Sequence, residues 1–225
     1  LHKDFVLPEH LKIKIRVLNF FSKLTCIGAS HKLALSFTNM DKDKQHRITV
    51  VPPLLRKEVF SLNPTKGDYI HGYLVNSGFA ENVEYWHKIN PETPLRFFWD
   101  RKGESLVKVI DDKEFLRQMS GCKAYASTAG FESICEAMYL GKPILMVPAH
   151  IEQDCNAFDA VRNGAGITSS DFDLGSLIAF SSDFNPNIEF KVWVDKASQM
   201  IMSAIEEGLH YYIGHTYTVV RKALQ

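Results

Sequence analysis

Neither sign of charge is in excess in this 225-residue chain: Lys plus Arg and Asp plus Glu number 26 each. With a formal net charge of zero there is no global electrostatic grip on a nucleic-acid backbone, so any polyanion partner is small and locally bound. Cysteine is scarce. Cys26, Cys122, Cys135 and Cys155 form no CxxC pair, which signals neither a zinc site nor a disulfide framework. Reduced, buried thiols in a cytoplasmic protein are the expectation. No apolar run approaches the ~20 residues of a membrane-spanning helix, and Leu1-His2-Lys3-Asp4 carries no signal-peptide pattern. A starting methionine is also absent, which reads as a fragment of a longer chain or a processed or split subunit. No Walker loop, GxGxxG or HExxH occurs. The composition itself, 45% hydrophobic and 23% charged, is that of an ordinary globular protein.

Leu11, Ile15, Leu18, Phe21 and Leu24 recur at intervals of three or four and predict an amphipathic helix over 8–24, with Lys12, Lys14, Arg16 and Lys23 on its other faces. Packing against a domain is the commoner use of such a helix; peripheral contact with an anionic membrane surface is the rarer one. A short strand at Leu33–Phe37 and another ending on Val50-Val51-Pro52-Pro53 follow, and the two prolines read as a domain linker. Beyond Gly67, strands at 69–75, 95–99, 106–110, 124–126 and 143–147 are interspersed with helices at 79–88, 113–119, 130–140 and 153–163. That succession predicts an α/β fold, a Rossmann-like doubly wound parallel sheet. A last amphipathic helix spans 192–207, and 208–225 is unplaced.

Ligands of such a sheet sit beyond the carboxyl ends of its strands. Three loops qualify. Asn76-Ser77-Gly78 is a weak signal, equally a plain turn with a capping residue. Ser127-Thr128-Ala129-Gly130 is stronger, because small residues expose a helix start whose free N–H groups and positive dipole end suit a diphosphate. Ser133 adds a hydroxyl, and Glu136, on the same helix face, suits ribose hydroxyls. Read without context, the segment is a helix with Ser/Thr caps and a surface glutamate. Context comes from Pro148 to Ala157, where Glu152 and Gln153 supply groups suited to sugar hydroxyls, although Glu152 also suits a helix start on electrostatic grounds alone.

The ordered set Thr128-Ala129-Gly130-Phe131-Glu132-Ser133-Ile134-Cys135-Glu136-Ala137, Gly141-Lys142-Pro143, Val147-Pro148, Glu152-Gln153, Asn156-Ala157 and Gly164-Ala165-Gly166 resembles the donor-binding half of GT-B glycosyltransferases. The plant-type and UDP-glucuronosyl transferases and the lipid II N-acetylglucosaminyltransferase carry this pattern. The match runs from about Tyr69 to Ile167.

The resemblance implies diphosphate binding by Ser77, Gly78, Thr128, Gly130 and Ser133, and ribose binding by Glu136. It further implies nucleobase binding at the backbone of Ile110 and donor-sugar binding by Glu152 and Gln153. Thr128 departs from the histidine that many plant-type members carry. The implied division is 1–56 as the tail of a truncated, Rossmann-like acceptor domain with its linker, 57–207 as the donor domain and 208–225 as a tail.

The implied activity is metal-independent transfer from a nucleoside-diphosphate sugar to an acceptor hydroxyl. It requires no cofactor beyond the donor. The catalytic base would lie outside this chain, in an N-terminal half or a partner subunit, leaving the chain inactive alone. A nucleotide-sugar 2-epimerase is the enzymatic rival, disfavoured because Val147 to Gln153 lacks the Thr-Glu-Arg-Pro segment usual there. A non-catalytic nucleotide-sugar-binding subunit is the rival from another class.

Overall fold

The structure is a computed structural model that describes residues 2–6, 8–74, 77–99, 107–109 and 112–209, with the side chains of Ser77, Trp99 and 107–109 outside that description. Its elements run α1 (Lys12–Thr25), β1 (Lys32–Leu35), β2 (Ile48–Val51), β3 (Ile70–Leu74), α2 (Ser77–Ile89), β4 (Leu95–Trp99), β5 (Val107–Val109), α3 (Asp112–Gly121), β6 (Ala124–Ser127), α4 (Phe131–Tyr139), β7 (Ile144–Met146), α5 (Ile151–Arg162), β8 (Gly166–Thr168), α6 (Leu174–Phe180) and α7 (Ile188–Val194). A further helix covers 197–209. The chain divides into two compact units, one holding residues up to Leu54 together with those from Val192 onward, the other Leu55–Lys191.

The larger unit is built on a six-stranded sheet, all parallel, in the order β5-β4-β3-β6-β7-β8. Relative to the first strand of this unit the order is 3-2-1-4-5-6, the doubly wound arrangement, so the winding direction reverses between β3 and β6. Alternation along β3 explains the two layers of helices. Ile70 and Leu74 point to the face where Val83 of α2 and Leu174 and Leu177 of α6 complete an apolar cluster with Phe97 and Phe172. Gly72 is required on that face: a Cβ there would stand 2.2 Å from the Phe97 ring. His71 points the other way, among Phe98, Phe115 of α3 and Tyr125.

Three features depart from the sequence reading. Strand β8 and helix α6 were not foreseen. The helix expected over 192–207 is two pieces, α7 and 197–209, broken at Asp195-Lys196, and its residues group with the first unit instead of the donor domain. Trp193 Nε1 donates to the Ser36 carbonyl at 3.0 Å, and Lys42 pairs with Glu207, which gives that grouping its physical basis. In α1, Leu11 just ahead of the helix and Ile15 are buried, while Phe20, Phe21 and Leu24 stand exposed, against the expectation that Phe21 and Leu24 turn inward. Strands β1 and β2 of this unit pair in parallel.

Candidate functional site

The carboxyl ends of β3 and β6 flank the point where the strand order reverses, the crevice in which an open α/β sheet binds its ligand. Strand β6, fully buried, delivers Ser127 and Thr128 under the surface, and the chain then turns through Ala129. Ala129 has φ +62°, the left-handed region that costs a non-glycine residue strain. Its carbonyl accepts from Asn156 Nδ2 of α5 at 3.2 Å, a tie between neighbouring loops that helps hold the turn. Gly130 is extended at the head of α4 and no side chain caps the helix there. No capping side chain therefore stands between the start of α4 and the rim of the crevice. Ser133, half-buried, donates its hydroxyl back to the Gly130 carbonyl at 3.1 Å, which engages its one donor within the turn.

Helix α5 begins the same way, with His150 at its head and no side-chain cap. Gln153 is buried, and its Oε1 accepts from the Ala149 amide at 2.8 Å, which fixes the side chain and leaves its NH2 as the directed group. Glu152 is exposed. By contrast α6, far along the chain from these loops, is capped conventionally by Asp173, which accepts from the Ser176 amide at 3.0 Å.

Glu136 is not the surface glutamate that a bland reading of the helix suggests. It is 0% exposed, and Arg56 grips it bidentately, Nε to Oε1 at 2.6 Å and Nη2 to Oε2 at 2.7 Å. Burial pushes the Glu136 carboxyl above the ordinary glutamate range, and the guanidinium pulls against that rise. The bond to Glu136 raises Arg56 in turn. Arg56 also reaches Asp112 Oδ1 at the start of α3, 3.4 Å away. It thus joins the helix carrying Glu136 to the helix that follows the expected nucleobase loop. Sequence reasoning missed this residue, which lies 80 positions from its partner.

Of the expected site residues, the fold brings Gly78, Thr128, Gly130, Ser133, Glu152 and Gln153 to the carboxyl edge of the sheet. Ser77 opens α2 on that same edge, but its side chain lies outside the described part, and so does the whole of Ile110. The cysteines are unpaired, and burial drives the Cys122 thiol up to about 12 and raises those of Cys135 and Cys155, which silences them as nucleophiles. Among the described residues no group of three or more His, Cys, Asp or Glu gathers as a metal donor set, and no helix is long and apolar enough to cross a membrane.

A Caenorhabditis elegans protein named as a UDP-glucuronosyltransferase, ugt-50, is 32% identical over 75 residues, 33% of this chain and 14% of that protein. Among solved structures, the glycosyltransferase of kitacinnamycin superposes with a TM-score of 0.58 at 16% identity, covering 80% of this chain and 55% of that one. That likeness is one of fold, and it agrees with the Rossmann-like GT-B fold that the sequence resembles. The calicheamicin glycosyltransferase CalG4 is a further similar structure, with a TM-score of 0.49 at 15% identity over 80% of this chain and 52% of its own. The chain therefore spans about half the length, or less, of the proteins it matches. The profile of the family described as glycosyl transferase family 1 matches residues 4–184, most of the sequence, and the chain belongs to that family.

Proposed function

We propose that this chain is the donor-binding portion of a glycosyltransferase that moves a sugar from a nucleoside-diphosphate carrier to an acceptor hydroxyl. The observation that carries the reading is the uncapped start of α4 at the point of strand reversal, held open by the strained turn at Ala129. Backbone N–H groups at the head of α4 take the diphosphate, and the Ser133 hydroxyl turns its donor from the Gly130 carbonyl to the phosphate. Ser77 and Gly78 face it from the first loop. Thr128, 1% exposed, acts from beneath through the loop it supports.

The ribose meets an ion pair instead of a lone carboxylate. Glu136 is enclosed, whereas the Arg56 side chain is 28% exposed, so the guanidinium is the part of the pair that solvent reaches. Arg56 therefore carries the ribose contact, and Glu136, enclosed behind it, holds the guanidinium in place. The base lies against the backbone near Ile110, and Glu152 with the fixed amide of Gln153 addresses the hexose. In transfer, charge grows on the departing diphosphate, and a helix start aimed at it stabilises that charge without a metal ion. No residue of this chain is assigned as catalytic base, and the free thiols accord with a cytoplasmic setting.

Calorimetry with UDP, GDP and dTDP against the matching monophosphates, in EDTA without Mg²⁺, tests the reading. At least one diphosphate is expected to bind about tenfold or more tightly than its monophosphate, one extra charge-assisted contact being sufficient for that. Absence of binding by all three at millimolar concentration overturns the donor-site assignment.

A further inference from the structure

The opposite, amino-terminal edge of the same sheet holds a second concavity that the donor reading leaves unused. It is a cavity of about 420 Å³ whose walls include Thr65 and Lys66 before β3, Lys123 before β6, and Lys142 before β7. Its charge is one-sided: Lys66, Lys123, Lys142 and Lys191 line it, and no aspartate or glutamate does. In a chain with equal numbers of acids and bases, that is a local concentration of like charge.

Lys142 gives the cavity a built floor. It is 4% exposed, and its ammonium donates to the carbonyls of Thr65 at 2.6 Å and Cys122 at 2.9 Å. Two carbonyls use two of its three donors and supply no counter-charge, and among the described residues no carboxylate pairs with it. A buried ammonium without an opposite charge is costly to keep. Cross-linking two strand starts accounts for Lys142 alone. It does not account for the three further lysines that line the same cavity, Lys66, Lys123 and Lys191.

The remaining wall is apolar. The Tyr139 ring has the Lys191 ammonium 4.9 Å from its centroid, and Phe184, Pro186 and Ile188 continue the surface. Lysines combined with an apolar surface select an anion with an organic body.

We propose that this cavity is a binding site for a small organic phosphate, with its phosphoryl group at Lys142 and the flanking lysines and its apolar body against Tyr139 and Phe184. The site is separate from the crevice at the carboxyl edge and stands independently of the donor assignment.

Phenyl phosphate is the probe, titrated by calorimetry into the full 225-residue chain alongside phenol and inorganic phosphate. Saturable binding of phenyl phosphate is expected, tighter than either fragment by fivefold or more and weakening as salt is raised. The surface double variant Lys66→Gln with Lys191→Gln, which touches no buried contact, is expected to weaken it about fivefold. Lys142→Met is expected to abolish it, provided the variant shows a cooperative melt. The double variant carries the test if Lys142→Met does not fold. Thr128→Val with Ser133→Ala, at the other edge, is expected to leave binding unchanged. The proposal is overturned by no saturable binding at 20 mM, by phenol binding as tightly as its phosphate, or by loss in the Thr128/Ser133 variant with none in the lysine variants.

Discussion

Both oxygens of Glu136 are enclosed and taken by one guanidinium, so removing either partner alone strands a charge. Arg56→Ala leaves a buried carboxylate with nothing opposite it and is expected to cost about 3–5 kcal/mol in urea unfolding. The double variant Arg56→Met with Glu136→Leu removes both charges and is expected to recover most of that loss. A double variant whose loss equals the summed losses of Arg56→Met and Glu136→Leu made singly would show that the pair is not coupled. His71 supplies a second residue-level expectation. Burial among aromatic rings pulls its pKa from 6.5 down to about 3, and its Nδ1–H donates to the Arg96 carbonyl. The unfolded chain therefore binds a proton that the folded chain refuses between about pH 6.5 and 3. Stability is full above that window and falls as pH drops through it, by up to about 1.4 kcal/mol per pH unit from this group. His71→Gln is expected to flatten the slope of unfolding free energy against pH in that range, whatever it does to the absolute value. An unchanged slope would remove His71 from the account.

Elements with a strong period were legible from the chain alone, and weak ones were not. The βα alternation from Tyr69 to Asn163 reads directly because each strand is a short apolar run and each helix a periodic one. Strand β8 is three residues long, too short to carry a period, and follows directly on the left-handed turn at Gly164. Helix α6 spans seven residues with a glycine inside, yet Asp173 three residues ahead of Ser176 was a capping signal in plain view. In the site, the local spacing from Thr128 to Glu136 was readable because one helix start sets it. Arg56 was invisible for the converse reason, since only the fold brings it to Glu136. Helix α1 shows the limit of periodicity: it gave the helix, but not which stripe is buried. Strand β8 can be tested by its glycine. A Cβ on Gly166 would meet the Ile144 carbonyl oxygen at 1.8 Å, a backbone atom of β7 that cannot rotate away. Gly166→Ala is expected to part these strands and destabilise the chain by ~3 kcal/mol in thermal or urea unfolding. A loss within ~0.5 kcal/mol would mean that β8 does not pair as described.

For the molecule as a whole, zero net charge conceals a division of labour. The carboxyl edge of the sheet offers helix starts and hydroxyls, and the amino edge gathers lysines, so the two proposed anion sites rest on different chemistry. Binding at the carboxyl edge is nevertheless only half of transfer. An acceptor hydroxyl has to be brought to the donor sugar and relieved of its proton, and the alignment of the two reactants supplies much of the rate. The proposed site addresses the donor alone, and the proteins that the chain matches extend well beyond the share it covers. The expected outcome is a separation of the two functions. The purified 225-residue chain should bind a nucleotide sugar, with Gln153→Ala weakening the nucleotide sugar and sparing the bare nucleotide, since that amide is the group proposed for the hexose. Incubated with the same nucleotide sugar and a panel of hydroxyl acceptors, it should form glycoside no faster than a no-protein control, with at most slow release of free sugar. Product analysis by mass spectrometry decides it: transfer well above background, abolished by substituting a single residue of this chain, would show that the catalytic base lies within these 225 residues.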